Sequence, residues 1–266
     1  MAAQQPTIRK TKRYGWIPDL PDARDHLFAA PPAVLGKLPA SVDLEPGCPA
    51  VYDQGQLGSC TGNAIAAAIQ FDRMKQKQAS AESLVPSRLF IYYNERVIEG
   101  SVGQDSGAQI RDGVKSVAKL GVCFETGANP WPYNIKEFTE RPPAACYKTA
   151  EKHQIVQYSR LVPILSQLKG CLASGYPFVF GFTVYESFES QQVAATGNVP
   201  MPSPNEHVLG GHAVCCVGYD DKTQTFIVRN SWSSRWGRNG YCRMPYAYLT
   251  NEHLARDFWT IRMIEG

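Results

Sequence analysis

The stretch YDQGQLGSCTGNAIAAAIQF, Tyr52 to Phe71, places Cys60 directly after Gly58 and Ser59 and directly before an apolar run. A structural cysteine packs inside such a run as a small hydrophobe; this one stands at its entrance. If the run is a helix, Cys60 falls in its first turn, beside unpaired backbone N–H groups at the positive end of the dipole. Both features favour thiolate over thiol, and a helix start is a setting that lowers a cysteine pKa below about 8.5. Gly58, Ser59 and Gly62 keep the surroundings small, so a substrate backbone can approach. Those are the needs of a nucleophile.

A thiolate nucleophile requires an oriented proton acceptor and donor. Of five histidines, His212 is best placed. It heads the apolar strand of LGGHAVCCVGY, behind Gly210 and Gly211, which clear space above it. Eighteen residues on, Asn230 in FIVRNSW ends the next strand, where its amide can hold the imidazole in one tautomer. Trp232 can shield that bond from water. Gln54, six residues before Cys60, can offer its side-chain amide to an oxyanion, with the Cys60 N–H as second donor. Removing one such donor typically costs about 10²–10³ in rate.

The elements that must carry these groups show in the pattern. Helices are expected over Ala64–Gln78, after Pro86 (Leu89, Phe90, Tyr92, Tyr93), over Ala108–Leu120 with a stop at Gly121, and around Val162–Ala173. Strands are expected over Phe178–Val184, Ala213–Tyr219, Thr225–Arg229 and Gly240–Met244, each bounded by turn-forming residues. Helices first and an antiparallel sheet later give an α+β protein. Cys215 and Cys216, adjacent on a strand, must face opposite ways.

Bulk properties narrow the function. The chain has 266 residues, 44% of them hydrophobic, enough for a sizeable core in one domain or two lobes. Twenty-seven basic against 24 acidic residues leave a net charge of +3, which argues against a nucleic-acid or membrane partner. The one basic cluster, Arg9, Lys10, Lys12 and Arg13, reads as a solvated terminus. No apolar stretch reaches membrane-spanning length, and no apolar h-region follows the basic start, so the expectation is a cytoplasmic protein or one exported without a Sec leader. Eight cysteines fall short of a disulfide scaffold; most read as reduced and buried, with a Cys123–Cys146 bridge left open. A zinc site from His207, His212, Cys215 and Cys216 is disfavoured because adjacent strand cysteines diverge. The glycines of GQLGSCTG lack the Gly-Lys-Ser/Thr of a phosphate loop. No metal and no cofactor are expected.

The pieces DQGQLGSC, GGHAVCCVGYD and RNSWSSRWGRNGYCRM, in that order, resemble the papain-like cysteine peptidases, of a bacterial branch, from about residue 39 onward. The resemblance implies a helical lobe (roughly 50–160) facing an antiparallel, β-barrel-like lobe (roughly 161–260), with the active site in the groove between. It implies a thiol endopeptidase that uses Cys60, His212, Asn230 and Gln54, and a Cys60–His212 ion pair with a sulfur pKa of about 3–4. It also places Ser106 and Gly107 of GQDSGAQ in the loop that pairs with substrate, and Gly210, Gly211 and Trp232 in the substrate groove. Gly210 leaves room for a large side chain at the second residue before the scissile bond. Three positions depart from the family pattern: Thr61 follows the nucleophile instead of Trp, Leu57 replaces a disulfide-forming cysteine, and Gly211 replaces the acidic residue that often precedes the histidine. An acyltransferase or amidase with the same triad, or a catalytically silent peptide binder, are the alternatives. Residues 1–38 precede LPASVDL, where the resemblance starts. YGWIPDLPDARDHLF within them is apolar enough to dock and held extended by its prolines, so an inhibitory pro-segment is expected, with a permanent outer strap as the other reading. The protein is expected to be a monomer with a peptide or protein as substrate.

Overall fold

Residues 60–73 are buried on every side, and a helix apolar all round belongs in an interior. This helix is the axis of the fold. In the computed structural model, which describes residues 14–265, the helices are α1 (Pro32–Leu35), α2 (Cys60–Lys75), α3 (Arg88–Glu99), α4 (Ile110–Leu120), α5 (Ala144–Ala150), α6 (Leu165–Ala173), α7 (Gln191–Thr196) and α8 (Tyr246–Leu249). The strands are β1 (Ser41–Asp43), β2 (Ile155–Leu161), β3 (Phe178–Tyr185), β4 (Val208–Asp220), β5 (Thr225–Arg229), β6 (Tyr241–Pro245) and β7 (Ala255–Ile264). The basic cluster Arg9–Arg13 lies outside the described residues. Helix α3 is capped by the Ser87 hydroxyl on the Phe90 N–H and closed by Gly100 in the left-handed region.

All strand pairs within the sheet are antiparallel, in the order β2-β7-β3-β4-β5-β6, with β1 added to β4. The path is open, and helices beside an antiparallel sheet form the α+β fold that was expected. Strand β7 continues past residue 260, and β2 begins inside the stretch expected for the helical lobe. Both were missed because Arg256, Asp257, Arg160 and Arg262 interrupt their apolar runs; the sheet tolerates them since Asp257 and Arg160 pair with each other at 3.3 Å.

The sheet is covered on both faces, which explains the nearly unbroken apolar runs of β3 and β4. Val179, Ala213, Cys215, Trp259 and Ile261 join the core built on α2, α3 and α4. Their strand neighbours Phe178, Phe180, Val214, Cys216 and Phe258 join a second core under α6 and α8. Cys215 and Cys216 thus face opposite ways, as alternation requires. All eight cysteines are free thiols, Cys123 and Cys146 included.

Candidate active site

Two core elements, α2 and β4, meet at the candidate site. Cys60 is the first residue of α2 and fully buried. His212 lies near the start of β4, which packs along α2, and the backbone at Ala213, the next residue, contacts the Cys60 thiol. His212 Nε2 is 2.8 Å from Asn230 Oδ1, and that oxygen also accepts the Ser231 N–H at 2.8 Å. An oxygen bound to a backbone donor stays an acceptor, so Nε2 carries a proton and donates to it. Trp232 lies over the imidazole with ring centroids 5.1 Å apart, and Phe182 and Phe188 close the other sides. Trp232 is therefore a buried cover on His212, and the Tyr14 ring of the N-terminal segment lies 6.3 Å from it.

Gln54 is fixed from three directions. Its backbone N–H donates to Ser231 O at 2.9 Å, its Oε1 accepts the Ser231 hydroxyl at 2.6 Å, and its Nε2 donates to Leu57 O at 3.0 Å. Ser231 thus aligns both the amide of Gln54 and, through Asn230, the histidine. Nothing in the sequence pattern pointed to that double role.

The groove is occupied by the chain's own N-terminal segment. Trp16 donates its N–H to Gly211 O at 2.9 Å; Ala108 donates to Gly15 O at 2.7 Å and accepts from Ile17 N–H at 3.0 Å. Gly15 contacts the Cys60 sulfur through its backbone. A Cβ on Gly15 would lie 1.6 Å from Gly58 O, and one on Gly107 (φ +78°) would lie 2.4 Å from Gly15 O. Tyr14 covers Gly210, and the Trp16 indole fills the space above Gly211 and Gly181 and donates to Asp257 at 3.2 Å. Gly107, Gly210 and Gly211 therefore face the groove together. Ser106 does not: its hydroxyl turns back to Ser101 at 2.8 Å. Ala108, one residue beyond the expected pair, makes the strand-like bonds.

This occupation decides the state of the sulfur. Burial pushes the Cys60 thiol up to about 12, against the backbone groups of Ala213, Gly15 and Thr61 that favour the anion. The helix start is present, but water is excluded.

The profile of the papain family cysteine proteases matches residues 38–256. The chain belongs to that family. It is 43% identical to an uncharacterized peptidase C1-like protein of Acanthamoeba polyphaga mimivirus, over 96% of this chain and 88% of the relative. It is 47% identical to xylellain, a cysteine protease from Xylella fastidiosa, with a TM-score of 0.86 over 96% of this chain and 98% of that one. The procathepsin B of Trypanosoma congolense, at 20% identity and a TM-score of 0.72 over 92% of this chain and 84% of that one, shares the fold. The papain-family chain is thus a cysteine endopeptidase of α+β fold. Its departures from the family pattern also find their places. Thr61 donates to the buried Glu95 at 2.7 Å, and Leu57 packs into the core.

Proposed function

We propose that the protein hydrolyses peptide bonds through Cys60, His212, Asn230 and Gln54, and that it is made as a zymogen held shut by the segment around Tyr14–Ile17. One observation carries this reading: a peptide backbone already lies in the groove, hydrogen-bonded to Ala108 and Gly211, with Gly15 against the Cys60 sulfur. Once the segment leaves, water and the α2 N-terminus favour the anion: the Cys60 proton passes to His212, and the sulfur attacks the scissile carbonyl. The oxyanion is received by the Cys60 N–H and the Gln54 amide, donors fixed before reaction starts. His212 protonates the leaving amine, then takes a proton from the water that resolves the thioester. Trp16 in the pocket paved by Gly211 and Gly181 supports acceptance of a large, aromatic or basic side chain two residues before the cut.

The test is cleavage of a peptide library by full-length protein, by protein starting near Leu38, and by Cys60→Ser. The trimmed protein is expected to cleave at least tenfold faster than full length, and Cys60→Ser not at all. Equal rates for the first two end the zymogen reading, and hydrolysis by Cys60→Ser ends the thiol mechanism. Transfer of the acyl group to an added amine in preference to water selects an acyltransferase. Labelling of Cys60 without any turnover selects a silent binder.

A further inference from the structure

The loop before the nucleophile needs a brace, because it carries Gln54 and leads into the Cys60 N–H. Where the family pattern has a disulfide-forming cysteine, this chain has Leu57. The adjoining residue is held differently. Both oxygens of Asp105 accept the Gly58 N–H, at 3.1 and 3.0 Å, and Oδ1 also accepts the Tyr92 hydroxyl at 2.6 Å. That hydroxyl in turn accepts the Gly107 N–H at 3.1 Å. Gly58 and Gly107 are the two residues that grip Gly15 from either side. One carboxylate and one phenol therefore tie the wall that stabilises the oxyanion to the wall that pairs with the peptide backbone.

The support behind them is rigid. Tyr92 is fully buried on α3. Arg96, one turn later, donates to Val102 O at 2.8 Å and Gln104 O at 3.0 Å, which fixes the loop that delivers Asp105. Gly58 has no room for a side chain, since a Cβ there would lie 2.9 Å from Asp105 Oδ1. Hydrogen bonds between a carboxylate and backbone N–H are charge-assisted and stronger than neutral ones.

We propose that Asp105 is a positioning residue: through Gly58 it sets the oxyanion-binding loop, and through Tyr92 it sets the substrate-pairing loop at Gly107. The proposal rests on the peptidase reading. In place of a covalent staple the groove has a polar clamp that a reducing environment leaves intact.

The experiment uses the full chain with Gly15→Ala, expected to open the groove, as parent. It compares kcat and KM on a peptide amide with the iodoacetamide alkylation rate of Cys60, read by mass spectrometry. Alkylation needs the sulfur but no oxyanion hole. Asp105→Ala is expected to lower kcat about 10- to 100-fold, the effect of a misplacement of about 1 Å, with alkylation within twofold of the parent. Asp105→Asn keeps one acceptor oxygen and is expected to fall between. Tyr92→Phe cuts only the link to Gly107 and is expected to raise KM several-fold at nearly constant kcat. Parent-like kcat in both Asp105 variants overturns the proposal. So does a parallel fall of kcat and alkylation, which marks general loosening. If Asp105→Ala does not fold, Asp105→Asn and Tyr92→Phe decide. A parent that alkylates but hydrolyses nothing refutes the peptidase reading, a result separate from these comparisons.

Discussion

Cys60 shows how one residue holds two chemistries. Its place at the head of α2 favours the anion, while complete burial under Tyr14–Trp16 pushes the thiol up to about 12. The second effect wins while the segment is docked, because desolvation opposes the charged form. Iodoacetamide at pH 6 is therefore expected to label Cys60 in the full chain at least tenfold more slowly than after the segment is removed. Equal labelling rates, measured on the Cys60 peptide by mass spectrometry, would contradict this. At the same scale the sequence pointed to the four residues of the proposed mechanism, since a nucleophile, base, orienter and oxyanion donor are each distinctive in type and setting. Ser231, Asp105 and Ala108 were invisible. A serine that aligns two amides, or a carboxylate that braces a backbone, has no local signature.

Among the elements, the N-terminal segment departs most from its expected form. It docks by backbone pairing as well as by apolar side chains. Residues 14–17 bond to Ala108 and Gly211, and further along Phe28 and His26 bond to Arg160 of β2, so the segment also extends the sheet edge. Ala30 then packs on Gly170 of α6. The tightest point is Gly15, where a Cβ would meet Gly58 O at 1.6 Å, backbone that cannot swing aside. Gly15→Ala is expected to dislodge residues 14–17 and raise full-length peptidase activity at least tenfold, while the contacts of residues 26–30 hold. A full-length variant as slow as wild type would show that this contact does not control access. Helix α2 and strands β3 and β5 were legible because their residues are consistently buried. Strand β7 was not, for its buried Asp257 is paired by Arg160, distant in sequence.

For the whole molecule, the segment is anchored by a buried acidic contact whose strength depends on pH. Asp19 accepts from the Trp259 indole at 2.9 Å and the Arg111 N–H at 3.1 Å, and its own N–H donates to Asp257 at 2.7 Å. Arg160 faces Asp257 at 3.3 Å, and Asp25 sits between Arg111 and Arg160 at 2.7 and 3.2 Å. Burial, and then the facing Asp257 carboxylate, push the Asp19 carboxyl up to about 7; burial raises Asp257 as well. A carboxyl raised in the docked state binds more protons there than when released. Docking is therefore strongest in acid and weakens as pH climbs from the ordinary value of 3.8 to about 7. Hydrogen exchange at the Trp16 and Ile17 amides, corrected for the intrinsic pH effect, is expected to lose protection over that range. Asp19→Asn, neutral throughout, should flatten the dependence. Protection that is constant or rises with pH in the wild type would refute the argument.

The sequence alone marked the proposed set, Cys60, His212, Asn230 and Gln54, and its order along the chain, because chemistry at a nucleophile demands particular residue types next to helix starts, strand ends and glycines. It also determined the α+β class, which follows from short-range periodicity. Only the tertiary structure decided that the sheet stays open, that the N-terminal backbone lies against Cys60, and that Asp105 clamps both groove walls. Those outcomes depend on contacts between residues tens to hundreds of positions apart, and on which groups lose their water when the contacts form.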